Sequence, residues 1–294
     1  MKLRTMDLRL TATARRRILG LLFISPWLIG VTAFTLYPFV SSILYSFTSY
    51  DVISPPMFIG LDNYREMLSD KLIGIALYNT FYYAVIAVPL GTIWGICVAL
   101  MLNMKVCGQV VYRTLFYIPS IVPIVASSMV WLWLLNPQYG IINGLIYLIF
   151  KKPGPGWITD PALAKPSLIL MSLWGIGQTA LIYLASLQDV PQSLYESAEL
   201  DGANAFQKVI HITLPMISPV ILFNVIMGLI GAFQYFTQAY VMTSGGPADS
   251  TLFYALYLYN NAFRYFKMGY ASAMAWLMFV IILVLTLLTF RTSS

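Results

Sequence analysis

Charge is what this 294-residue sequence has least of. Asp, Glu, Lys and Arg make up 10% of it, against about 25% in a soluble globular domain. Six stretches, 18–50, 72–104, 114–150, 166–188, 209–248 and 268–290, contain none of the four. Cysteine is almost missing as well. Cys97 and Cys107 have no metal or redox spacing, and Cys97 lies inside an uncharged run, so neither a disulfide framework nor a metal site is implied. The single histidine, His211, has no carboxylate, serine or metal-ligand pattern beside it and reads as a surface histidine. No Gly-Lys dipeptide occurs anywhere, so the chain has no phosphate-binding loop of the G-x-x-x-x-G-K-[ST] kind. The uncharged runs hold no carboxylate, whereas ion-coupled carriers usually keep an ionisable residue at the membrane midplane. That weakens the reading of a stand-alone, ion-coupled secondary transporter, although backbone carbonyls can also coordinate sodium.

What is present is apolar: 59% of residues are hydrophobic and the mean hydropathy is +0.77. The sequence predicts an all-α polytopic membrane protein, since a helix crosses the bilayer in roughly 20 apolar residues. Six spans are expected, at about 18–47, 74–102, 114–135, 168–187, 217–242 and 268–290. Residues 1–17 form a basic arm and 291–294 a short tail. Leu61–Leu72 suits the membrane interface, with Tyr64, Met67, Leu68 and Leu72 at helical spacing. Ile141–Phe150 is too short to cross and should rest at a surface. Thr251–Phe266 reads as amphipathic.

The net charge of +6 does not indicate nucleic-acid binding. Lys2, Arg4, Arg9, Arg15, Arg16 and Arg17 supply six of the seventeen basic residues, and such an arm anchors to anionic lipid. Its apolar continuation runs too far for a signal peptide. Six spans put both termini on one side, and basic residues divide ten against seven in favour of that side. Both termini and the loop 189–215 are therefore expected in the cytoplasm.

That loop is the longest charged segment between two membrane-grade runs. Ser193-x-x-Glu196 reads as a capping box, Gly202 as a left-handed helix end, Asn204-x-x-Gln207 as a second helix start, and Pro215 as its end. A helix–Gly–helix knob results, of a size that docks into another protein's groove.

The spaced set Glu196-Ser197-Ala198-x-x-Asp201-Gly202-Ala203, followed by Leu214-Pro215, resembles the EAA loop of permease subunits of binding-protein-dependent ABC importers. Ser197 departs from the usual alanine, and both are small. Phe58-Ile59-Gly60-Leu61-Asp62-Asn63-Tyr64, Trp131, Asn136-Pro137-x-x-Gly140-x-x-Asn143, Trp157, Asp160-Pro161, Trp174 and Gly245-Gly246-Pro247 resemble the sugar-type, maltose/glycerol-phosphate subgroup. The resemblance covers about residues 18–290.

It implies a type I ABC importer permease fold in a bacterial or archaeal inner membrane. The implied partners are a second homologous permease, two ATPase subunits, an extracytoplasmic binding protein and membrane lipid. No cofactor is expected in this chain, and ATP and magnesium are expected on the ATPase. By the same resemblance Glu196, Ala198, Asp201, Gly202, Ala203, Leu214 and Pro215 couple to the ATPase. Met171, Trp174, Gly175, Gln178, Gly228, Ala232 and Tyr235 fall on pathway-facing positions. Spacing independently puts Trp174 and Gln178 on one helix face, and aligns Asn224 with Gly228, Gly231/Ala232 and Tyr235. Amides suit sugar hydroxyls and aromatic rings suit sugar faces. Equally, small residues and amides can serve only to pack helices. Gly228 and Ala232 lack the polar side chains that the maltose relative carries there, which points away from maltose itself.

Overall fold

The computed structural model describes residues 12–104 and 106–293. Most of the basic arm and Lys105 lie outside them. In a bilayer core without water the backbone must satisfy its own hydrogen bonds, and helix is the local way to do so. The first span joins α1 (Ala12–Val31) to α2 (Tyr37–Ser46) through a π turn at Thr32–Leu36. Pro38 cannot donate to the preceding turn, and the wide turn closes through Tyr37 N–H to the Thr32 carbonyl. None of the most apolar stretch of this span is buried.

A short antiparallel pair, β1 (Thr48–Ser49) with β2 (Met57–Phe58), pairs Thr48 with Phe58 and Ser49 with Met57. It leads into α3 (Asp62–Ser69). Asn63 donates to the carbonyls of Ser46 and Thr48, both at 2.9 Å. The long α4 (Lys71–Asn103) starts at Asp70, whose carboxylate accepts the Leu72 amide at 2.9 Å.

The third span, expected over about 114–135, is sharply broken. It is not one straight helix. Instead α5 (Gln109–Ile121) and α6 (Ile124–Leu134) meet at 99°. Val122 precedes Pro123 and is extended, with ψ 127°, because the proline ring disfavours the helical region for the residue before it. The short α7 (Ile141–Phe150) follows. Asn143 pins the loop after it: its amide donates to Pro137 and Pro155 at 3.1 Å and its oxygen accepts Trp157 Nε1 at 2.7 Å.

The fourth span is also bent, by 48°, between α8 (Pro161–Trp174) and α9 (Gly177–Gln188). Beyond it come α10 (Gln192–Leu200), α11 (Ala205–Lys208), a π turn at Val209–Thr213, α12 (Leu214–Phe233) and α13 (Thr237–Met242). A largely buried α14 (Tyr254–Tyr259) precedes α15 (Met268–Ser293). Among the described residues four helices are long and apolar enough to cross a membrane, and six when each bent pair counts as one.

Two apolar clusters hold the bundle. The larger gathers the first half of α4 with α6, α8, the end of α12 and α14, around Tyr83, Phe233, Phe253 and Tyr254. The smaller gathers the last turns of α4 and α9 with the start of α12, through Val98, Leu102, Tyr183, Leu187 and Ile217. The second cluster is the floor on which the charged loop stands.

Candidate functional site: an exposed knuckle and two cavities between the helices

The loop 189–215 folds as a bent knuckle. Pro191, not Ser193, caps α10. The Ser193–Glu196 capping box therefore does not form: Pro191 is already set at φ −59° and its carbonyl accepts the Leu194 amide at 3.1 Å. Helix then begins as early as the proline permits. Ser193 sits inside the first turn, where its carbonyl accepts the Ser197 hydroxyl at 2.9 Å.

The far end of α10 is built as the sequence predicts. Gly202 adopts φ +79°. Its amide bonds the Glu199 carbonyl at 3.0 Å, and the Ala203 amide bonds the Ala198 carbonyl at 2.9 Å. These two bonds are the full Schellman arrangement, so Ala198, Gly202 and Ala203 make one turn between them. Asn204 opens α11 with a complete capping box: its side chain accepts the Gln207 amide at 2.9 Å, and Gln207 accepts the Asn204 amide at 2.8 Å.

Pro215 does not end this second limb. The π turn at Val209–Thr213 closes with Leu214 N–H on the Val209 carbonyl. The wider turn absorbs the donor that Pro215 lacks, and the helix continues into α12. Leu214 and Pro215 thus form the root of the fifth span rather than a terminator.

No residue of α10 is buried. Leu194 is 40% exposed, Leu200 90% and Phe206 72%, on a segment otherwise rich in polar residues. A shallow cavity of about 330 Å³ brings Ala198, Asp201, Gly202 and Ala203 together with Lys208 and His211. Glu196 is exposed outside it.

The expected pathway residues divide between two cavities. Asn224, Gly228, Ala232 and Tyr235 line one of about 200 Å³, facing Tyr83, Thr92, Ser172 and Thr179. Met171, Trp174 and Gly175 line another of about 300 Å³ in the crook of the α5–α6 bend, with Ser120, Ser127 and Gln238. Ser172 touches both. Gln178 lines neither and is exposed. Its expected register with Trp174 is broken because the helix is interrupted at Gly175–Ile176. Tyr235 lies past the end of α12, not on its helical stripe. Its ring packs 4.2 Å from Tyr83 and 5.1 Å from Phe253, and its buried hydroxyl has the Tyr83 hydroxyl as its one neighbour, without a well-formed hydrogen bond.

Two members of the set have packing duties. Asn224 spends its amide on the Val220 carbonyl at 2.9 Å. A Cβ on Gly228 would lie 3.2 Å from Val88, so the glycine lets α12 rest on α4. Sequence reasoning passes over Tyr83, Ser172 and Thr179. The small and hydroxylated positions on the second and fourth spans are the available signal, and lining a cavity depends on bends that periodicity does not carry. Among the described residues no three His, Cys, Asp or Glu side chains stand close enough to hold a metal ion.

Comparison with known proteins adds the family. The family described as "Binding-protein-dependent transport system inner membrane component" matches residues 87–292. The probable ABC transporter permease protein YesP of Bacillus subtilis is 44% identical over 279 residues, covering 94% of this chain and 90% of the relative. The trehalose/maltose transport system permease protein MalF of Thermococcus litoralis is 33% identical over 289 residues, covering 96% of each. Among solved structures, a bacterial alginate ABC transporter in complex with an alginate pentasaccharide-bound periplasmic protein matches with TM-score 0.85 and 23% identity over 97% of both chains. At that identity the match speaks for the fold.

Proposed function

Because the chain belongs to the binding-protein-dependent inner membrane components, the permease subunits of ABC importers, we propose that it forms half of a sugar pathway driven by a separate ATPase. One observation carries the coupling half of this reading. A knuckle with a complete Schellman end and a complete capping box stands exposed between two spans and shows Leu194, Leu200 and Phe206 to water. A rigid, partly apolar projection of this kind fits a groove in a partner. Glu196, Ala198, Asp201, Gly202 and Ala203 supply the docking surface, and Leu214 and Pro215 supply the root that moves with it.

The pathway half rests on neutral chemistry. Hydroxyls and aromatic rings from Tyr83, Ser172, Thr179, Trp174 and Tyr235 line the two cavities, and a sugar offers matching hydroxyls and C–H faces. Trehalose/maltose is the cargo named for one relative. A second homologous permease completes the pathway. Two ATPase subunits hold ATP and magnesium, and a binding protein delivers cargo on the outer side. Both termini and the knuckle face the cytoplasm of a bacterial or archaeal cell, the orientation favoured by the basic arm. The six spans make one permease domain over 18–290.

Affinity purification of the full complex tests this. An ATPase subunit co-eluting with the chain, and ATP-dependent uptake in vesicles, are expected. Full uptake by the chain alone under an ion gradient would instead make it a secondary carrier.

A further inference from the structure

We infer that the Glu199–Lys208 ion pair and the Tyr195–Thr213 hydrogen bond are the struts through which the knuckle moves the fifth span. The inference rests on the coupling role proposed above and names the side chains that transmit it. Because α10 buries no residue, no core holds it in place. Its covalent link to α11 runs through Gly202, around which a Cβ would meet nothing within 4 Å. With no side-chain tie across that joint, the two limbs would swing relative to each other when pushed.

Two side-chain bridges oppose that pivot. Lys208 Nζ lies 2.7 Å from Glu199 Oε1, and the Tyr195 hydroxyl lies 2.9 Å from Thr213 Oγ1. Tyr195 and Glu199 are four apart and share one face of α10. Glu196 and Leu200 are also four apart, both exposed, and occupy a different face that is free for a partner.

On the other limb, Lys208 and Thr213 are five apart, a spacing that an ordinary α-helix turns away from a common face. The π turn between them restores the alignment, and Thr213 Oγ1 also reaches the Lys208 carbonyl at 3.3 Å. A wide turn inserted at this point therefore has a purpose beyond accommodating Pro215. Thr213 is 2% exposed and is followed directly by Leu214 and then Ile217 in the smaller apolar cluster, so the second strut ends on the body of the bundle.

The test uses the assembled complex in lipid vesicles, with its ATPase and loaded binding protein. The readout is substrate moved per ATP hydrolysed. Lys208→Met and Tyr195→Phe should each keep the ATPase bound and hydrolysing while lowering that ratio several-fold. Together they should lower it about tenfold, the effect of losing roughly two modest polar contacts. The reversed pair Glu199→Lys with Lys208→Glu should recover most of the Lys208→Met loss. An unchanged ratio in the single variants, or a reversed pair no better than Lys208→Met, overturns the inference. So does loss of ATPase binding in Lys208→Met, which would make the lysine a docking residue. Wild-type chain that brings down no ATPase would overturn the coupling role itself, an outcome separable from all of these.

Discussion

Gly202 has room around it and an unusual backbone angle, and the two facts separate its roles. With φ +79° and nothing within 4 Å of where a Cβ would stand, what the site demands is left-handed backbone, which β-branched residues resist and asparagine tolerates. Gly202→Val should cost the turn roughly 1–2 kcal/mol and abolish coupled uptake, whereas Gly202→Asn should keep most of it. Uptake assays on the two variants separate angle from space. Tyr235 invites the opposite kind of change. Its buried hydroxyl has no well-formed hydrogen bond beyond the neighbouring Tyr83 hydroxyl, and a poorly satisfied buried group costs up to about 1–3 kcal/mol. Tyr235→Phe should leave thermal stability equal or higher, while raising the substrate concentration needed for half-maximal uptake. Local chemistry of this sort is largely legible in the sequence. Asn204 and Gln207 cap each other as their spacing dictates, and Gly202 ends its helix. Ser193 misleads because Pro191, two residues earlier, has already opened the helix.

Elements are harder to read, and the reason is packing. Pro119, Pro123 and Pro166 are visible in the sequence, yet only one of the three sits at a sharp break. Pro123 makes a corner where Val122 is extended, while Pro119 and Pro166 remain inside helices. The bend at Gly175–Ile176 has no proline at all. It is set where Gly177 presses on the backbone of α5: a Cβ there would strike the Phe116 carbonyl and lie 2.9 Å from Tyr117 Cα. Gly177→Ala should therefore destabilise the complex by about 1–3 kcal/mol, the range for overpacking. Gly231→Ala, which meets nothing within 4 Å, should be neutral or stabilise α12 by up to about 1 kcal/mol. Thermal unfolding of the purified variants distinguishes them, and equal effects would refute the close approach of α5 to α9.

At the scale of the molecule, Asp70 ties three distant stretches together. Its carboxylate accepts the hydroxyls of Tyr257 at 2.6 Å and Tyr270 at 2.8 Å, besides the Leu72 amide. Burial pushes its pKa upward, but the two tyrosines and the backbone amides outweigh this and hold it below the ordinary 3.8. Burial first, then Asp70, pushes Tyr257 up to about 12, so it stays a donor near neutrality. A depressed carboxylate stabilises the fold above its ordinary pKa and loses that contribution as pH falls through the depressed value. Stability should be insensitive to this group from neutrality down to about pH 4 and fall below it. Asp70→Asn should lower stability at neutral pH and flatten the acid limb of a melting-temperature series. No pattern in the sequence brings residues 70, 257 and 270 together, since long-range pairing lies outside any local period.

The unbroken run from Ala205 through the π turn to Phe233 has a mechanical corollary. At helical rise it makes a rod about 43 Å long. A tilt of about 5° around its midpoint would swing each end by about 2 Å on that length. Tyr235 hangs just beyond that far tip. A nudge at the Ala205 end would thus arrive, in one stroke and without relay, at a ring that lines the small cavity, as in a rigid lever whose pivot lies between its ends.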